Sequence, residues 1–428
     1  MEKEAEILNS VLEGTVVNDL LSDIGRSLFF PKGIVYQTEQ AKLHANFLNA
    51  TVGMAKENGK PIHLRLIDEM IGDISPDEIY SYAPSAGVEE LRELWLEQLL
   101  LKNPRLKNGI TSKPMVTGGV TNGLSIIADL FTDNGDALLL PELYWGNYKL
   151  IFSIKNGCSI LTYNTFNDKG EYNIDGLDEL IKKCNKDKLM ILFNFPHNPT
   201  GYSPYSHEIN GFKEIILRHA DSGKKILLIF DDSYFGFFYE DDVYKHSLFN
   251  EFFDIHENVL SIKLDGATKE DFAWGFRIAF ITYGGKGLKK EHYEALELKT
   301  KGMIRATISN ANRLAQTLLI RAYENNNYFE EKREKFELLK SRFNEVKRQL
   351  EGRNSKYLTP LPFNSGYFLC FEVRDSAERL REYLLMKKGI GMISIADRYL
   401  RVSYASVDLE NIKVLIDEIY RACEELFS

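Results

Sequence analysis

Short apolar runs alternate with longer amphipathic stretches through the middle of the chain, and this alternation restricts the possible folds more than any other feature. Between Met115 and Tyr283 the apolar runs include ALLLP, LMILFN, KKILLIFD and RIAFITY, and the stretches between them include IDGLDELIKKC and EINGFKEIILRHA. The runs predict buried strands and the stretches predict amphipathic helices. Their repeated order predicts an α/β fold, with a mostly parallel central sheet flanked by helices in a large domain and a smaller α+β domain.

The pattern changes towards the C-terminus, which indicates a second domain. A charged helical pattern runs from Tyr328 to Leu350, GYFLCFEV and YLRVSYA then predict strands, and a terminal helix is expected from Leu409. A chain of 428 residues also exceeds the size of about 250–300 residues at which single cores stop growing. We therefore predict an N-terminal segment that packs with the small domain, a large ligand-binding domain and a C-terminal small domain: 1–62, 63–328 and 329–428.

Composition excludes several classes of partner. A net charge of -9 provides no broad positive field for a nucleic acid. The four cysteines lack CxxC spacing and the eight histidines lack ligand spacing, so we expect neither a disulfide framework nor a metal site. The acidic start MEKEAEILNSVLEG has no signal-peptide core, and no apolar run approaches the roughly 20 residues of a membrane span. A cytoplasmic protein without nucleic-acid or membrane partners is expected.

Polar segments follow the predicted strands and contain groups that bind a phosphorylated ligand. TGGVTNGLS follows PMV, NFPHNPTG follows LMILF, and DDSYFGF follows ILLIF, while DGATKEDFAWGFRIAF carries a lysine followed by Gly-x-Arg. Ligands of open α/β sheets bind at the carboxyl ends of the strands. A lysine, an aspartate, an arginine and a glycine-rich helix start together suit a phosphorylated pyridine aldehyde.

The order and spacing of these motifs, from about Phe30 to Val407, resemble those of the class I/II aminotransferases, which are fold-type I enzymes dependent on pyridoxal 5′-phosphate (PLP). The resemblance implies an aminotransferase of the aspartate aminotransferase superfamily that moves an amino group from an amino acid to a 2-oxo acid. It also implies a homodimer with shared active sites. A PLP-dependent β-lyase or other α-carbon enzyme is the alternative on the same fold, because the cofactor residues do not choose among reactions. A non-catalytic PLP-fold sensor is the alternative of another class.

The resemblance assigns the catalytic residues. Lys269 of KEDFAWGFR matches the lysine that forms the internal aldimine, whereas the rival Lys263 has the wrong spacing to Arg277. The amine acts first as a nucleophile and then as a proton carrier, and both tasks need a pKa lowered by burial or by neighbouring cations. Asp231 of FDDSY resembles the aspartate that pairs with the pyridine nitrogen, and Tyr234 resembles the tyrosine that donates to the phenolic oxygen of the cofactor.

The phosphate site is expected at the TGGVTNGL segment. There the backbone N–H groups of Val120 and Thr121 and the Thr121 hydroxyl lie at the start of a predicted helix, where N–H groups and helix dipole favour an anion. Arg277 would add a fixed cation. Gly266 stands where many relatives carry a phosphate-binding serine, and Thr268 is the expected substitute.

Further cofactor contacts come from two motifs. Trp145 of YWGNY resembles the aromatic residue that stacks on the pyridine ring, Tyr144 is the alternative stacker, and Tyr148 replaces a histidine of the related pattern. Asn198 of NPTG resembles the asparagine that donates to the phenolic oxygen. Asn198–Pro199 and Phe195–Pro196 are candidates for cis peptide bonds.

The resemblance also implies substrate contacts and a shared site. Arg401 of LRVSYA resembles the arginine that binds the substrate α-carboxylate as a fork, together with Asn198, and Asn49 and the Gly53 amide of NATVG resemble the loop that closes on the same group. Tyr82 of YAPSAG resembles the tyrosine that reaches the phosphate of the neighbouring subunit. Arg305 of RATISN is the predicted ligand of a distal substrate carboxylate, again across the interface.

Overall fold

The structure is a computed structural model that describes residues 3–13, 21, 26–27 and 34–428. In chain order its strands are β1 (Leu48–Asn49), β2 (Lys56–Glu57), β3 (Lys60–Pro61), β4 (Met115–Thr117), β5 (Ala137–Pro141), β6 (Ser159–Tyr163), β7 (Lys188–Asn194), β8 (Lys225–Asp231), β9 (Val259–Asp265), β10 (Ala279–Gly285), β11 (Leu358–Pro360), β12 (Phe368–Val373), β13 (Ile390–Gly391), β14 (Ile393–Ile395) and β15 (Tyr399–Ser403).

The α-helices connect and cover these strands. They span Lys3–Leu12, Ile34–His44, Arg65–Met70, Pro76–Tyr80, Glu89–Lys102, Val120–Phe131, Ile174–Lys183, Ile209–Asp221, Phe249–Phe252, Ala267–Glu270, Lys290–Thr307, Arg313–Glu324, Tyr328–Leu350, Ala377–Lys388 and Ile412–Phe427. A π-helical turn spans Lys149–Ile154, and short 3-10 turns cover Ile71–Asp73, Pro104–Asn108, Ser206–Glu208, Tyr404–Ser406 and Leu409–Asn411. Within the described ranges, no helix is both long enough and apolar enough to cross a membrane.

A seven-stranded sheet forms the centre of the large domain, in the order β4-β10-β9-β8-β7-β5-β6. The pairs among β5 to β9 are parallel, whereas β10 runs antiparallel to both of its neighbours, β4 and β9. Six strands therefore share one direction and one is reversed. The α/β fold with a mostly parallel central sheet, predicted from the alternating pattern, is confirmed.

Both faces of this sheet are covered, which explains why its strands are apolar at almost every position. Successive side chains of a strand point to opposite faces. Ile191 of β7 accordingly belongs to the core that contains Ile216 of the helix Ile209–Asp221. Its neighbour Met190 belongs to the opposite core, with Leu124 of the helix Val120–Phe131. Continuous apolar runs are the sequence signature of such doubly covered strands.

The C-terminal part of the chain forms a second, antiparallel sheet in the order β11-β12-β15-β14. The N-terminal part contacts the same region, since β1 pairs in parallel with β13. The side chain of Gln37 exchanges two hydrogen bonds with the backbone of Ser394, at 2.7 and 3.1 Å. An N-terminal segment that packs with the small domain would make such contacts. The domain boundaries near residues 62 and 328 stay predictions.

Candidate active site

A cavity of about 220 Å³ lies at the carboxyl ends of the parallel strands, where loops after several strands converge. Thr117, Asn194, Asp231 and Asp265 end β4, β7, β8 and β9, respectively. The cavity is lined by Gly53, Val120, Thr121, Trp145, Tyr148, Asn194, Asn198, Asp231, Ser233, Tyr234, Gly266, Thr268, Lys269 and Arg277.

The carboxylate of Asp231 is held on both of its oxygen atoms. Asp231 is the last residue of β8 and is only 2% exposed. Its Oδ1 accepts hydrogen bonds from the Ser233 backbone N–H and hydroxyl, at 3.1 and 2.5 Å, and its Oδ2 accepts one from the Tyr148 hydroxyl at 2.6 Å. Burial and the charge of Asp231 raise the pKa of Tyr148 well above its usual value, so the phenol stays protonated and donates.

Asn194 connects the ends of two neighbouring strands at the cavity wall. Its Nδ2 donates to the backbone oxygen of Asp231 at 2.7 Å, and its Oδ1 accepts from the backbone N–H of Asn198 at 2.9 Å. Because β7 and β8 pair in parallel with Asn194 opposite Asp231, one side chain fixes both loops. The following Phe195–Pro196 bond is cis, as predicted, whereas the prediction of a cis bond at Asn198–Pro199 is wrong.

Lys269 lies on the short helical turn Ala267–Glu270 that follows β9. Its side chain is partly buried at the cavity, with Nζ 5.0 Å from the centre of the Tyr234 ring. Burial lowers the pKa of Lys269 to about 8, with a further decrease from Arg277 and an opposing effect of Asp231. A substantial fraction of the amine is therefore neutral near pH 8, and the neutral form is the nucleophilic one.

The rival lysine, Lys263, has the opposite environment. It is 1% exposed within β9, and its Nζ lies 2.7 Å from Asp232 Oδ2 and 2.6 Å from Asp265 Oδ2. Although burial favours the neutral amine, the two carboxylates raise the pKa of Lys263 above its usual value. Lys263 is the charged partner of two buried carboxylates, which is a structural role. It is not among the described residues that line the cavity.

One end of the cavity is built from the start of the helix Val120–Phe131 and the guanidinium of Arg277. Gly119 precedes this helix with φ 93°, and a Cβ atom there would lie 2.5 Å from Nη2 of Arg277. Only a glycine lets the guanidinium approach the helix start this closely. Val120 and Thr121 line the cavity beside it, so N–H groups, helix dipole and a cation are combined at one place.

Gly266 and Thr268 lie on the same wall. A Cβ atom at Gly266 would lie 2.7 Å from the Ile278 carbonyl oxygen and 2.8 Å from the Ala279 Cα of the adjacent β10, so a serine does not fit there without moving backbone. The Thr268 hydroxyl is buried and has no hydrogen-bond partner within the described part of the chain. Thr268 therefore offers the donor that an anion in the cavity would use.

Arg401 lies behind Asn198 on β15 and is 2% exposed. Its Nη1 donates to Asn198 Oδ1 at 3.0 Å and its Nη2 to the Thr51 carbonyl at 2.8 Å, while its Nε has no partner within the described residues. The guanidinium lies over the Phe368 ring at 4.6 Å. Asn49 accepts from the Thr51 backbone N–H and hydroxyl at 3.1 and 2.6 Å, which shapes the loop ahead of Gly53.

Comparison with known proteins assigns the family. Residues 63–419 match the family model described as aminotransferase class I and II. The chain belongs to this family. It is therefore a PLP-dependent aminotransferase, as the resemblance implied.

Individual relatives of this aminotransferase are distant in sequence. A probable aspartate/prephenate aminotransferase of Aquifex aeolicus is 26% identical over 362 residues, which cover 81% of this chain and 84% of the relative. An aspartate aminotransferase of Sulfurisphaera tokodaii is 28% identical over 209 residues, 49% of each chain. The solved structure of an aminotransferase from Anaerococcus prevotii is 25% identical and superposes with a TM-score of 0.83, covering 94% of this chain and 97% of that one.

Four residues predicted for the site do not line the cavity of the single chain: Asn49, Tyr82, Arg305 and Arg401. Tyr82 is 91% exposed, and Arg305 is exposed on the helix Lys290–Thr307, where its Nη1 donates to Ser309 Oγ at 2.5 Å. Arg401 is connected to the cavity wall through Asn198, because its Nη1 donates to Asn198 Oδ1. Of the two aromatic candidates, Trp145 lines the cavity and Tyr144 is not among its described lining residues.

Three residues that line the cavity were not predicted from the sequence. Tyr148 was noted only as the replacement of a histidine, yet it contacts Asp231. Ser233 lies two residues after Asp231, and Asn194 is the first asparagine of NFPHNPTG. Their positions at or just beyond strand ends were the available signal. Their contacts with Asp231 were not visible, because Asn194 and Tyr148 reach it across 37 and 83 residues of sequence.

Proposed function

We propose that Lys269 binds PLP covalently and that the cavity at the strand ends is the transamination site. The contrast between two lysines carries this proposal. Lys269 lines the cavity and has a lowered pKa, whereas Lys263 is buried as a charged partner of two carboxylates. Only the neutral form of a lysine attacks an aldehyde, and the lowered pKa makes that form more available on Lys269 than on Lys263.

The remaining lining groups suit a phosphorylated pyridine ring. A phosphate beside Arg277 would accept from the helix N–H groups of Val120 and Thr121. It would also accept from the Thr268 hydroxyl, which has no partner among the residues that the structure describes. Asp231 offers a carboxylate, already oriented by its neighbours, to a protonated ring nitrogen.

Each residue then has a defined task. PLP, when bound, supplies an electron sink that stabilises the charge left when the substrate loses its α-proton. Lys269 would take up and return that α-proton, which requires an amine of moderate pKa. Asp231 retains the proton on the ring nitrogen. Tyr234 and Asn198 would hold the phenolic oxygen as hydrogen-bond donors, and Trp145 would offer its ring as a stacking surface.

Arg401 is the proposed ligand of the substrate α-carboxylate. Its guanidinium is already oriented by Asn198 and Thr51, so little side-chain entropy is lost when a carboxylate binds. Burial lowers the pKa of Arg401, yet an arginine remains charged at any working pH, and a buried charge gains strongly from an anionic partner. Gly53 leaves room beside the Tyr234 hydroxyl, since a Cβ atom at this position would lie 2.9 Å from it.

We also propose a homodimer in which Tyr82 and Arg305 complete the partner's site. The two segments that carry them lie side by side, because the Ser85 hydroxyl donates to the Ser309 carbonyl at 3.1 Å. Tyr82 would reach the partner's cofactor phosphate. Arg305 would bind the distal carboxylate of a dicarboxylic substrate, so glutamate with 2-oxoglutarate is one proposed pair. The relatives' names support this class, since aspartate is a dicarboxylic amino acid.

The proposed location is the cytoplasm, and the cysteines support it. All four, Cys158, Cys184, Cys370 and Cys423, are buried free thiols. Secreted proteins of oxidising compartments use cysteines mainly in disulfides, whereas reducing compartments keep them as thiols. Fractionation of cells that express the tagged full chain would test this location.

The experiment that tests the assignment is chemical trapping. Purified protein is loaded with PLP, treated with borohydride to make the bond irreversible, and mapped by peptide mass spectrometry. The label is expected on Lys269, and a label on Lys263 or on no lysine would contradict the proposal. The Lys269→Ala variant should still bind PLP through the phosphate contacts but should move no proton.

A second measurement identifies the amino donor. The absorption of the loaded enzyme is followed after addition of each of the twenty amino acids in turn. Conversion to pyridoxamine phosphate is expected with glutamate or aspartate. Release of pyruvate or ammonia without that conversion would indicate a β-lyase instead. An enzyme that binds PLP and converts no amino acid would indicate a sensor.

A further inference from the structure

The segment that joins Lys269 to Arg277 is strained and depends on outside support. The turn Ala267–Glu270 has only four residues, too few for a helix to be stable alone. Phe272 and Arg277 both adopt left-handed backbone conformations, with φ 54° and 55°. Such conformations are unfavourable for a residue with a side chain, so they persist only where surrounding contacts enforce them.

Asp271, between Lys269 and Arg277 and directly before Phe272, makes such contacts. Its side chain is 1% exposed and accepts three hydrogen bonds. Oδ1 accepts from the Tyr328 hydroxyl at 2.5 Å and from Lys332 Nζ at 2.8 Å, and Oδ2 accepts from the Tyr323 hydroxyl at 2.8 Å. Although burial opposes the charged form, Lys332 and Lys102 lower the pKa of Asp271, so the carboxylate is ionised.

Glu270 extends the cluster to a third helix. It is 6% exposed, pairs with Lys102, and lies 3.5 Å from Lys332. The two carboxylates and two ammonium groups balance in charge, which makes their joint burial favourable. The partners lie on three helices: Glu89–Lys102, Arg313–Glu324 and Tyr328–Leu350. Loss of one member would leave an uncompensated buried charge.

We propose that Asp271 is a positioning residue that holds Lys269 and Arg277 at the separation required by the aldehyde and the phosphate of PLP. The inference rests on the proposed function of these two residues. Asp271 is not one of the described residues that line the cavity, so it acts through the backbone. Its backbone N–H closes the turn by donating to the Ala267 carbonyl at 3.1 Å. Anchored on both sides, the segment cannot relax and change the lysine-to-arginine distance.

The test compares two variants with a matched control. Asp271→Asn removes the charge at constant volume, and Tyr323→Phe removes one of the three hydrogen bonds while the charge remains. The control is Asp178→Asn, because Asp178 is also a buried carboxylate that is bound by three donors, Lys182, Arg218 and His219, on the helices Ile174–Lys183 and Ile209–Asp221. All three variants are measured for thermal stability, for affinity to PLP and to pyridoxal, and for borohydride labelling of Lys269.

The decisive readout is the ratio of the pyridoxal Kd to the PLP Kd, which reports how much the phosphate adds once the aldehyde is bound. This ratio should fall by about tenfold in Asp271→Asn, the effect of a lost hydrogen-bond network on a buried charge, and by less in Tyr323→Phe. It should stay at the wild-type value in Asp178→Asn, whatever the loss of stability there. Labelling of Lys269 by PLP at limiting concentration should fall in the same order.

Each outcome decides between two claims. A wild-type ratio in both Asp271→Asn and Tyr323→Phe would overturn the positioning role. If Asp271→Asn does not fold, Tyr323→Phe decides alone, since it keeps the ion pairs. Failure of the wild-type protein to be labelled at Lys269 would instead overturn the proposed function. The two failures are therefore distinguishable.

Discussion

The Tyr148 hydroxyl donates a hydrogen bond to Asp231 Oδ2 at 2.6 Å. Asp231 is the proposed partner of the ring nitrogen, so Tyr148→Phe should weaken its hold on that proton. A hydrogen bond to a charged group contributes about 1.5–3 kcal/mol, which predicts a loss of roughly tenfold to a hundredfold in kcat/KM. The matched control is Tyr163→Phe, because Tyr163 and Tyr172 form a buried hydroxyl pair at 2.6 Å that is not part of the described cavity lining. Equal losses in both variants would contradict the assigned role.

The lowered pKa of Lys269 predicts a distinctive pH dependence in the cofactor-free protein. Labelling of Lys269 by acetic anhydride should increase through a midpoint near pH 8, because the neutral amine reacts and burial lowers the pKa of Lys269 to about 8. Lys263 should not be labelled, since its two carboxylate partners keep it charged and buried. Exposed Lys286 serves as the internal reference for the reagent. A Lys269 that labels like Lys286 at every pH would refute the lowered pKa.

The same shift has a consequence for stability. The pKa of Lys269 in the folded protein, about 8, lies below its usual value of 10.5, so between these pH values the unfolded chain binds more protons than the folded one. The contribution of Lys269 to the free energy of unfolding therefore increases with pH across this window. Urea titrations compare the free energies of unfolding of cofactor-free wild type and Lys269→Met at pH 7.5 and 9.5. The variant should be more stable than wild type, and this difference should be smaller at the higher pH.

Substitutions at Gly119 and Gly135 distinguish the effect of backbone strain from that of close approach to another side chain. Both have positive φ, 93° and 86°, but a Cβ atom at Gly119 would lie 2.5 Å from Arg277 Nη2, whereas one at Gly135 meets no atom within 4 Å. Alanine at either position should lower stability by about 1–2 kcal/mol. Only Gly119→Ala should also weaken PLP binding, by about tenfold or more, because Arg277 is displaced from the phosphate site. Calorimetry and equilibrium dialysis measure the two effects, and unchanged PLP affinity in Gly119→Ala would remove Arg277 from the phosphate site.

Arg305 determines the acceptor if the proposed dimer is right. In Arg305→Ala, the loss in kcat/KM for 2-oxoglutarate should correspond to about 2–5 kcal/mol of free energy, the cost of breaking a desolvated charge pair. The kcat/KM for pyruvate should hardly change. Lys299→Ala is the control, because Lys299 is another exposed cation on the helix Lys290–Thr307. Equal losses for both keto acids would assign Arg305 a structural role.

Subunit mixing tests whether Arg305 acts across the interface. Neither Lys269→Ala nor Arg305→Ala homodimers should process glutamate efficiently. In a mixed dimer, one site would combine an intact Lys269 of one subunit with the intact Arg305 of the other, so activity should reappear after mixing and re-association. Absence of recovery in verified mixed dimers would show that Arg305 does not act across the interface.

The sequence predicted most strands of the central sheet because doubly covered strands are apolar throughout. The runs ALLLP and KKILLIFD coincide with β5 and β8. The pattern does not predict β9, because Ser261 and Lys263 interrupt its apolar run. Lys263 is tolerated in the core only because Asp232, on a different strand connection, and Asp265 neutralise it. A pairing of this kind depends on the fold and is not a local property of the sequence.

The motifs predicted the site residues that follow the strand ends, and these residues line the cavity. The structure adds the reason for a departure that the sequence alone left unexplained. Gly266 cannot be a serine because the backbone of β10 at Ile278 and Ala279 occupies the space of its Cβ. That contact exists because β10 runs beside β9, and the pairing of distant strands cannot be read from either segment alone.

The reversed direction of β10 also constrains how this enzyme can vary in length. Antiparallel neighbours need no crossover. The pair β9 and β10 is joined at one end of the sheet by residues 266–278, the shortest connection between consecutive strands of this sheet. Lys269 and Arg277 share this connection, so one inserted or deleted residue between them would change the relative position of their side chains. Insertions should be tolerated instead in the exposed turn 185–187, at the opposite end of the sheet. A scan of single-residue insertions should therefore find the shortest connection of the sheet to be its least permissive.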